Sequence, residues 1–277
     1  MISLDCKIIN GIILIPAQAD GQSGCFAFDT GAMQTAVNKT HFKDIQGESV
    51  DIAKFSQEVV EDCANKGALG SLNFSGVEKH GLPVLIMDLS YVENALKTLE
   101  SDIRFLGTLG IDVIRNYSVF IDYSVPELIL DSERTFDDCT EVPMTLDKLP
   151  VISLEIDGRE CDFVLDTGAN TCLLGKSFEG SPNIKPSSEQ ADIVNVPAVR
   201  VGDREYENIT AVISDISAIR EKVLVEGVIG YQILAHQRCI LDFLRKISFC
   251  LKSNEVLAVR SKVRAALSYI FIILSLQ

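Results

Sequence analysis

The sequence predicts an all-β chain with minor helix, built as two tandem lobes related by a pseudo-two-fold axis. Three observations carry that prediction. Short segments rich in β-branched and aromatic residues alternate with turn signals over most of the length. The same ordered series of segments occurs twice. In each copy the triplet Asp-Thr-Gly, followed by Ala, closes an apolar run, at Asp29–Ala32 and again at Asp166–Ala169. With 277 residues, 47% of them hydrophobic, there is material for two small cores.

Taken in order, Ile8 to Ile15 reads as a hairpin strand interrupted at Asn10 and Gly11. The turn Asp20-Gly21-Gln22 leads into the strand Cys25–Phe28 and the first Asp-Thr-Gly, as Asp157-Gly158-Arg159 leads through Asp162–Leu165 into the second. A hairpin over Leu72 to Asp88 corresponds to one over Val199 to Asp215, each an alternating strand, a Gly turn and another strand. Leu106–Asp112 corresponds to Glu226–Gln232, and Phe120–Tyr123 to Ile240–Phe243. Helix is expected at Ser90 to Leu99 and Ser214 to Val225. The offset between copies falls from 137 to 127 to 120 residues, so the second copy is the shorter and the chain reads as an internal duplication. The lobes are expected at residues 1–138 and 139–254, divided at the acidic stretch Asp137 to Thr140, with an apolar tail at 255–277.

One Asp-Thr-Gly arises by chance in about a tenth of chains this long and is also an ordinary Asp-capped turn. Two in matched settings are a different matter. Each half of the chain resembles one retropepsin subunit, so the whole resembles a retropepsin dimer joined into one chain and is similar in plan to the two-lobed pepsins. The residues that carry this are the apolar pair before each Asp-Thr-Gly-Ala and the later Thr108-Leu109-Gly110 and Val228-Ile229-Gly230, within roughly residues 8–252. Asp122-Tyr123 also resembles bacterial proteins of the Gag-type aspartyl protease group.

The resemblance implies an aspartic endopeptidase with Asp29 and Asp166 as its catalytic pair. Two carboxylates held together cannot both ionise, so they share a proton. One then takes a proton from a water lying between them while the other hydrogen-bonds the scissile carbonyl, with no covalent intermediate. Thr30 and Thr167 are implied to fix the two loops by cross-hydrogen bonds. Gly31 and Gly168 permit close approach, and Gly110 and Gly230 are expected where a strand passes behind each loop. Pepsin-like enzymes carry Ser or Thr where this chain has Ala32 and Ala169, so the pair is expected to titrate higher, with a rate optimum at about pH 4.5 to 6.5. The rival reading is a non-catalytic peptide-binding protein of the same fold.

The expected partner is an extended peptide or protein substrate, recognised by strand addition. A flap is expected around Asp51 to Leu69, with a shorter counterpart around Lys185 to Val196. A monomer with intramolecular lobe pairing follows from the duplication.

No cofactor or metal is expected, because His41, His80 and His236 have no ligand spacing and the eight cysteines include no Cys-x-x-Cys. The histidines read as surface or turn residues. Cys25, Cys161, Cys172 and Cys250 fall on apparent strands, as small buried hydrophobes. The net charge of −14 argues against nucleic acid and favours neutral or basic peptides. The amino-terminal segment lacks the basic region of a signal peptide, which makes a cytoplasmic, reduced protein the default.

In the tail, Arg260, Lys262 and Arg264 precede the apolar run Ala265 to Leu276. Twelve helical residues span about 18 Å against a hydrocarbon core of about 30 Å, which argues against a spanning helix. A docked helix is the favoured expectation, ahead of a peripheral membrane contact.

Overall fold

A tight hairpin opens the first lobe of the computed structural model, with Lys7–Ile9 pairing against Ile12–Ala19. Asn10 and Gly11 supply the positive φ angles, 49° and 86°, that this turn demands. The structure describes residues 1–51, 63–133, 140–187, 192–235, 237–244 and 248–253. The tail, residues 134–139 at the expected lobe boundary, and His236 lie outside the described residues, as do the side chains of Cys63, Cys139 and Cys250. Among the described residues strand far outweighs helix, the mostly β composition expected from the alternating segments.

Eight strands form the first-lobe sheet, in the order Lys7–Ile9, Ile12–Ala19, Gln22–Phe28, Phe105–Leu109, Ala36–Asn38, Val77–Met87, Cys63–Phe74 and Glu48–Asp51. It curls onto itself, because Ile12–Ala19 also pairs with Cys63–Phe74 through Gln18 and Asn73. The second lobe repeats the order with Pro150–Ile156, Arg159–Leu165, Gly227–Ile229, Cys172–Gly175, Arg204–Ser214, Ile193–Val201 and Lys185–Pro186. It closes in the same way, through Glu155 and Arg200. In both lobes the strand ending at the Asp-Thr-Gly turn runs parallel to the strand ending at the later glycine motif. That pairing, invisible to a local reading, brings residues far apart in sequence to the same sheet end.

Six strands bridge the lobes, in the order Ile2–Leu4, Glu127–Leu130, Ser118–Asp122, Gln237–Asp242, Ser248–Ser253 and Thr140–Leu146. The last of these pairs onward with Pro150–Ile156, so the bridge continues into the second lobe. One apolar core runs from Phe28 through Val119, Ile121 and Leu128 of the bridge to Phe163 and Val228. A satellite core lies under the helix Ser90–Lys97, where Val92 and Leu96 pack with Ile12, Leu14 and Phe105. Full burial of such aliphatic side chains is worth about 1.5–3 kcal/mol each.

That helix starts where Asp88 accepts hydrogen bonds from the N–H and hydroxyl of Ser90, and it carries the pair Glu93–Lys97 at 2.7 Å. Its counterpart is shorter than expected, Ser217–Arg220, because Ser214 still belongs to a strand. The N–H groups of Lys222 and Val223 then fold back onto the Ile219 carbonyl, and Leu224 is exposed. Several elements escape the sequence reading, three of them for a plain reason. The helices Ile111–Ile114 and Tyr231–Leu234 are too short to show a period, and Pro143 argues against a strand at Thr140–Leu146 although it takes an outward position in an intact alternation.

Candidate active site

Asp29 stands one residue beyond the strand Gln22–Phe28, and Asp166 one residue beyond Arg159–Leu165. Each strand end is fixed from the side. The Asp29 N–H donates to the Leu109 carbonyl at 3.1 Å and the Asp166 N–H to the Ile229 carbonyl at 3.0 Å. Each aspartate then organises its own turn. Asp29 Oδ1 accepts from the N–H groups of Gly31 at 2.9 Å and Ala32 at 3.0 Å, and Asp166 Oδ1 accepts from Gly168 at 2.7 Å.

The two turns face each other. A Cβ added at Gly31 would collide with the Asp166 carboxyl, and one added at Gly168 with the Asp29 carboxyl. Glycine is therefore required here for space, since each backbone passes directly over the opposite carboxylate. The Thr30 N–H donates to Thr167 Oγ1 at 3.1 Å, and the Thr167 N–H donates to Thr30 Oγ1 at 3.1 Å. The same hydroxyls donate onward, Thr30 to the Leu165 carbonyl at 2.7 Å and Thr167 to the Phe28 carbonyl at 2.8 Å. All four polar residues are buried, with exposures of 0–1%.

Burial, and then the neighbouring Asp166 carboxyl with which it hydrogen-bonds, hold Asp29 well above the ordinary carboxylate range. The backbone donors Gly31 and Ala32 pull the other way without overcoming this.

Gly110 and Gly230 lie behind these turns. A Cβ at Gly110 would fall 2.8 Å from the Ala32 oxygen, and one at Gly230 would strike the Ala169 oxygen. The N–H groups of Ile111 and Tyr231, which open the two short helices, donate to those same carbonyls at 2.7 and 2.9 Å. Lower down, the Tyr231 ring covers Gly11 and meets Tyr123 edge-on at 5.5 Å, joining the lobes beneath the site. The structure thus gathers Asp29, Thr30, Gly31, Ala32, Gly110, Asp166, Thr167, Gly168, Ala169 and Gly230 in one place.

The sequence reading missed Thr35 and Asp112, which join the first loop from behind. Their signal was a mismatch between copies, Thr35 facing Cys172 and Asp112 facing Gln232 in the alignment of repeats.

Among the described residues, no group of His, Cys, Asp and Glu could hold a metal. Burial pushes the thiols of Cys25 and Cys172 up to about 12, far from a reactive thiolate. His41 lies in a turn, with its Nε2 2.8 Å from Glu93, which also binds Asn38 and Lys97. His80 is exposed. Asp122 is buried and caps a turn at its strand end by accepting from Ser124. In the hairpin expected to carry the flap, Glu48–Asp51 pairs with Cys63–Phe74, and residues 52–62 between them lie outside the described residues. Among the described residues, the second-lobe counterpart pairs Lys185 and Pro186 with Ile193–Val201. No described helix is long and apolar enough to cross a membrane.

Known proteins support the same reading. A family model described as "Aspartyl protease" matches residues 152–233, within the second lobe. Among solved structures, the aspartic proteinase from Irpex lacteus is similar with a TM-score of 0.59, covering 94% of this chain and 99% of that one. Their sequences are 9% identical, so the likeness is one of fold. No curated protein sequence matches. The family match, confined to the second lobe, and the likeness of fold support an aspartic peptidase of the pepsin/retropepsin superfamily and a protease-like function.

Proposed function

We propose that the protein is an aspartic endopeptidase in which Asp29 and Asp166, one from each lobe, form the catalytic pair. The observation that carries this is the reciprocal contact of the two turns, each glycine lying over the opposite carboxylate. Buried together, the carboxyls retain one proton between them. The ionised member takes a proton from a water held by both and directs it at the peptide carbon, while the protonated member donates to the carbonyl oxygen. The proton then passes to the departing amine and the pair returns to its starting state. No acyl-enzyme forms.

The substrate is an extended peptide, laid along strand edges. Net charge of −14 favours neutral or basic sequences over acidic ones. The unit is a monomer divided into lobes at 1–138 and 139–254, and a cytoplasmic site is part of the proposal.

A fluorogenic peptide library at mildly acidic pH, with and without a statine-type inhibitor, tests this. Inhibitor-sensitive cleavage supports the reading. Peptide binding without cleavage would replace it with a non-catalytic peptide-binding protein of the same fold.

A further inference from the structure

The two catalytic loops are braced differently, at positions the repeat equates. In the first lobe the Gly110 N–H donates to Thr35 Oγ1 at 3.1 Å, and the Thr35 hydroxyl donates to Asp112 Oδ1 at 2.8 Å. That same oxygen accepts from the N–H groups of Thr35 at 3.0 Å and Val113 at 3.1 Å. In the second lobe the Gly230 N–H meets the sulfur of Cys172, a weak acceptor, and the position of Asp112 is taken by Gln232. Hydrogen bonds to an ionised carboxylate are about twice as strong as neutral ones.

The brace bears on the reacting group through a short, tied segment. Residues 29–35 are pinned at Asp29 by the Leu109 carbonyl, at Ala32 by the Ile111 N–H, and at Thr35 by Asp112 and Gly110. Thr35 is fully buried and its own carbonyl accepts from Leu85, so it cannot re-aim towards water when Asp112 is removed. Removal of Asp112 takes two of the four hydrogen bonds that hold Thr35 and leaves those from the Gly110 and Leu85 N–H groups.

We propose that Asp112 is a positioning residue for Asp29, fixing the first catalytic loop through Thr35 and Gly110, and that the second loop works without an equivalent carboxylate. This rests on the reading of Asp29 and Asp166 as the catalytic pair.

The test compares Asp112→Ala, Asp112→Asn, Thr35→Val and Cys172→Ala in the full chain, with two readouts. These are kcat and KM on a cleaved library peptide, and amide hydrogen exchange of residues 29–35. Small displacements of a reacting group cost up to about 10²-fold in rate. Asp112→Ala and Thr35→Val should therefore each lower kcat about 10- to 100-fold with KM within about twofold, and the double variant should be no worse than either. Exchange in 29–35 should rise in both. Asp112→Asn, which still offers Oδ1 to the same donors, should regain most of kcat, and Cys172→Ala should change it less than about threefold.

Equal losses in Asp112→Asn and Asp112→Ala, multiplicative losses in the double variant, or unchanged exchange would overturn the proposal. Should Asp112→Ala fail to fold, the near-isosteric Thr35→Val carries the test. If the unaltered protein cleaves nothing, the catalytic reading fails by itself. The exchange measurement then still decides whether the brace exists.

Discussion

Phe120 stands directly opposite Ile240 in the antiparallel ladder that joins the lobes, and the two occupy equivalent positions in the two copies. Equivalent residues can meet this way only at the axis relating their copies, so the register locates the pseudo-two-fold axis in the bridging sheet. The reciprocal bonds between Thr30 and Thr167, each N–H to hydroxyl at 3.1 Å, place the same axis between the catalytic turns. A single symmetry element therefore runs from the bridge to the aspartates, and the structure's predictions concern what holds the two turns against each other.

Thr30→Val and Thr167→Val keep the side-chain shape but remove a hydroxyl that serves two backbone groups of the opposite lobe. A buried group left unsatisfied costs about 1–3 kcal/mol. Each variant should lose about 2–4 kcal/mol in denaturant unfolding, and the two losses should be similar because the contacts are symmetric. A marked inequality would show that one lobe supplies most of the clamp.

Gly110→Ala and Gly230→Ala should each displace a catalytic turn. The new methyl at Gly110 meets the Ala32 oxygen and Gln34 carbonyl carbon at 2.7–2.8 Å, and that at Gly230 strikes the Ala169 oxygen and lies 2.8 Å from its Cβ. Backbone cannot yield as a flexible side chain does, so a cost of about 1–3 kcal/mol is expected, with loss of peptide hydrolysis. Thermal melts and cleavage assays check both effects, and near-native behaviour in both variants would remove the close packing behind the turns from the account.

Much of this was legible in the sequence because a pattern that occurs twice doubles every weak signal. Asp-Thr-Gly at residues 29–31 meant little until Asp166–Gly168 appeared at the end of a matching apolar run. The hairpins over Leu72–Asp88 and Val199–Asp215 were readable from alternation alone. What escaped was non-local or aperiodic. The parallel pairing of Ala27 with Thr108 links residues that no local pattern connects. Thr140–Leu146 hid behind Pro143, and Asp112 gave no local signal because its partner Thr35 is 77 positions away.

The pH dependence of stability has a defined sign. Because burial and Asp166 raise Asp29 above its ordinary value of 3.8, the folded state keeps a proton that the unfolded chain releases. The pair's contribution is then most favourable below the ordinary value and declines as pH rises towards the raised folded titration, by at most about 1.4 kcal/mol per pH unit. Beyond that titration the decline stops. Asp29→Asn removes the shared proton, so its stability relative to the unaltered protein should climb across the same window. Denaturant unfolding of both proteins from about pH 3.5 to 8 measures the difference, and a relative fall would refute the sign.

The rate profile should respond to the residue after each glycine. Ala32 and Ala169 are buried within the turns, and the Ala32 N–H already touches Asp29 Oδ1 at 3.0 Å. A hydroxyl added at both positions is near enough to donate to the ionised pair and so favour ionisation. The unaltered protein should show a bell-shaped profile centred at about pH 4.5 to 6.5, and the double Ser or Thr variant one displaced towards acid. An optimum near pH 2 without substitution, or no acid shift in a folded double variant, would count against this tuning.

The most direct measurement is peptide hydrolysis by the unaltered protein beside Asp29→Asn and Asp166→Asn, with circular dichroism confirming that each variant folds. An amide in place of either carboxyl keeps the turn but removes the group that shares the proton. Both variants are predicted to lose at least about 10²- to 10⁴-fold in kcat with native spectra, the range expected for removing a general acid–base group. Substantial hydrolysis remaining in either folded variant would contradict a catalytic pair drawn from the two lobes.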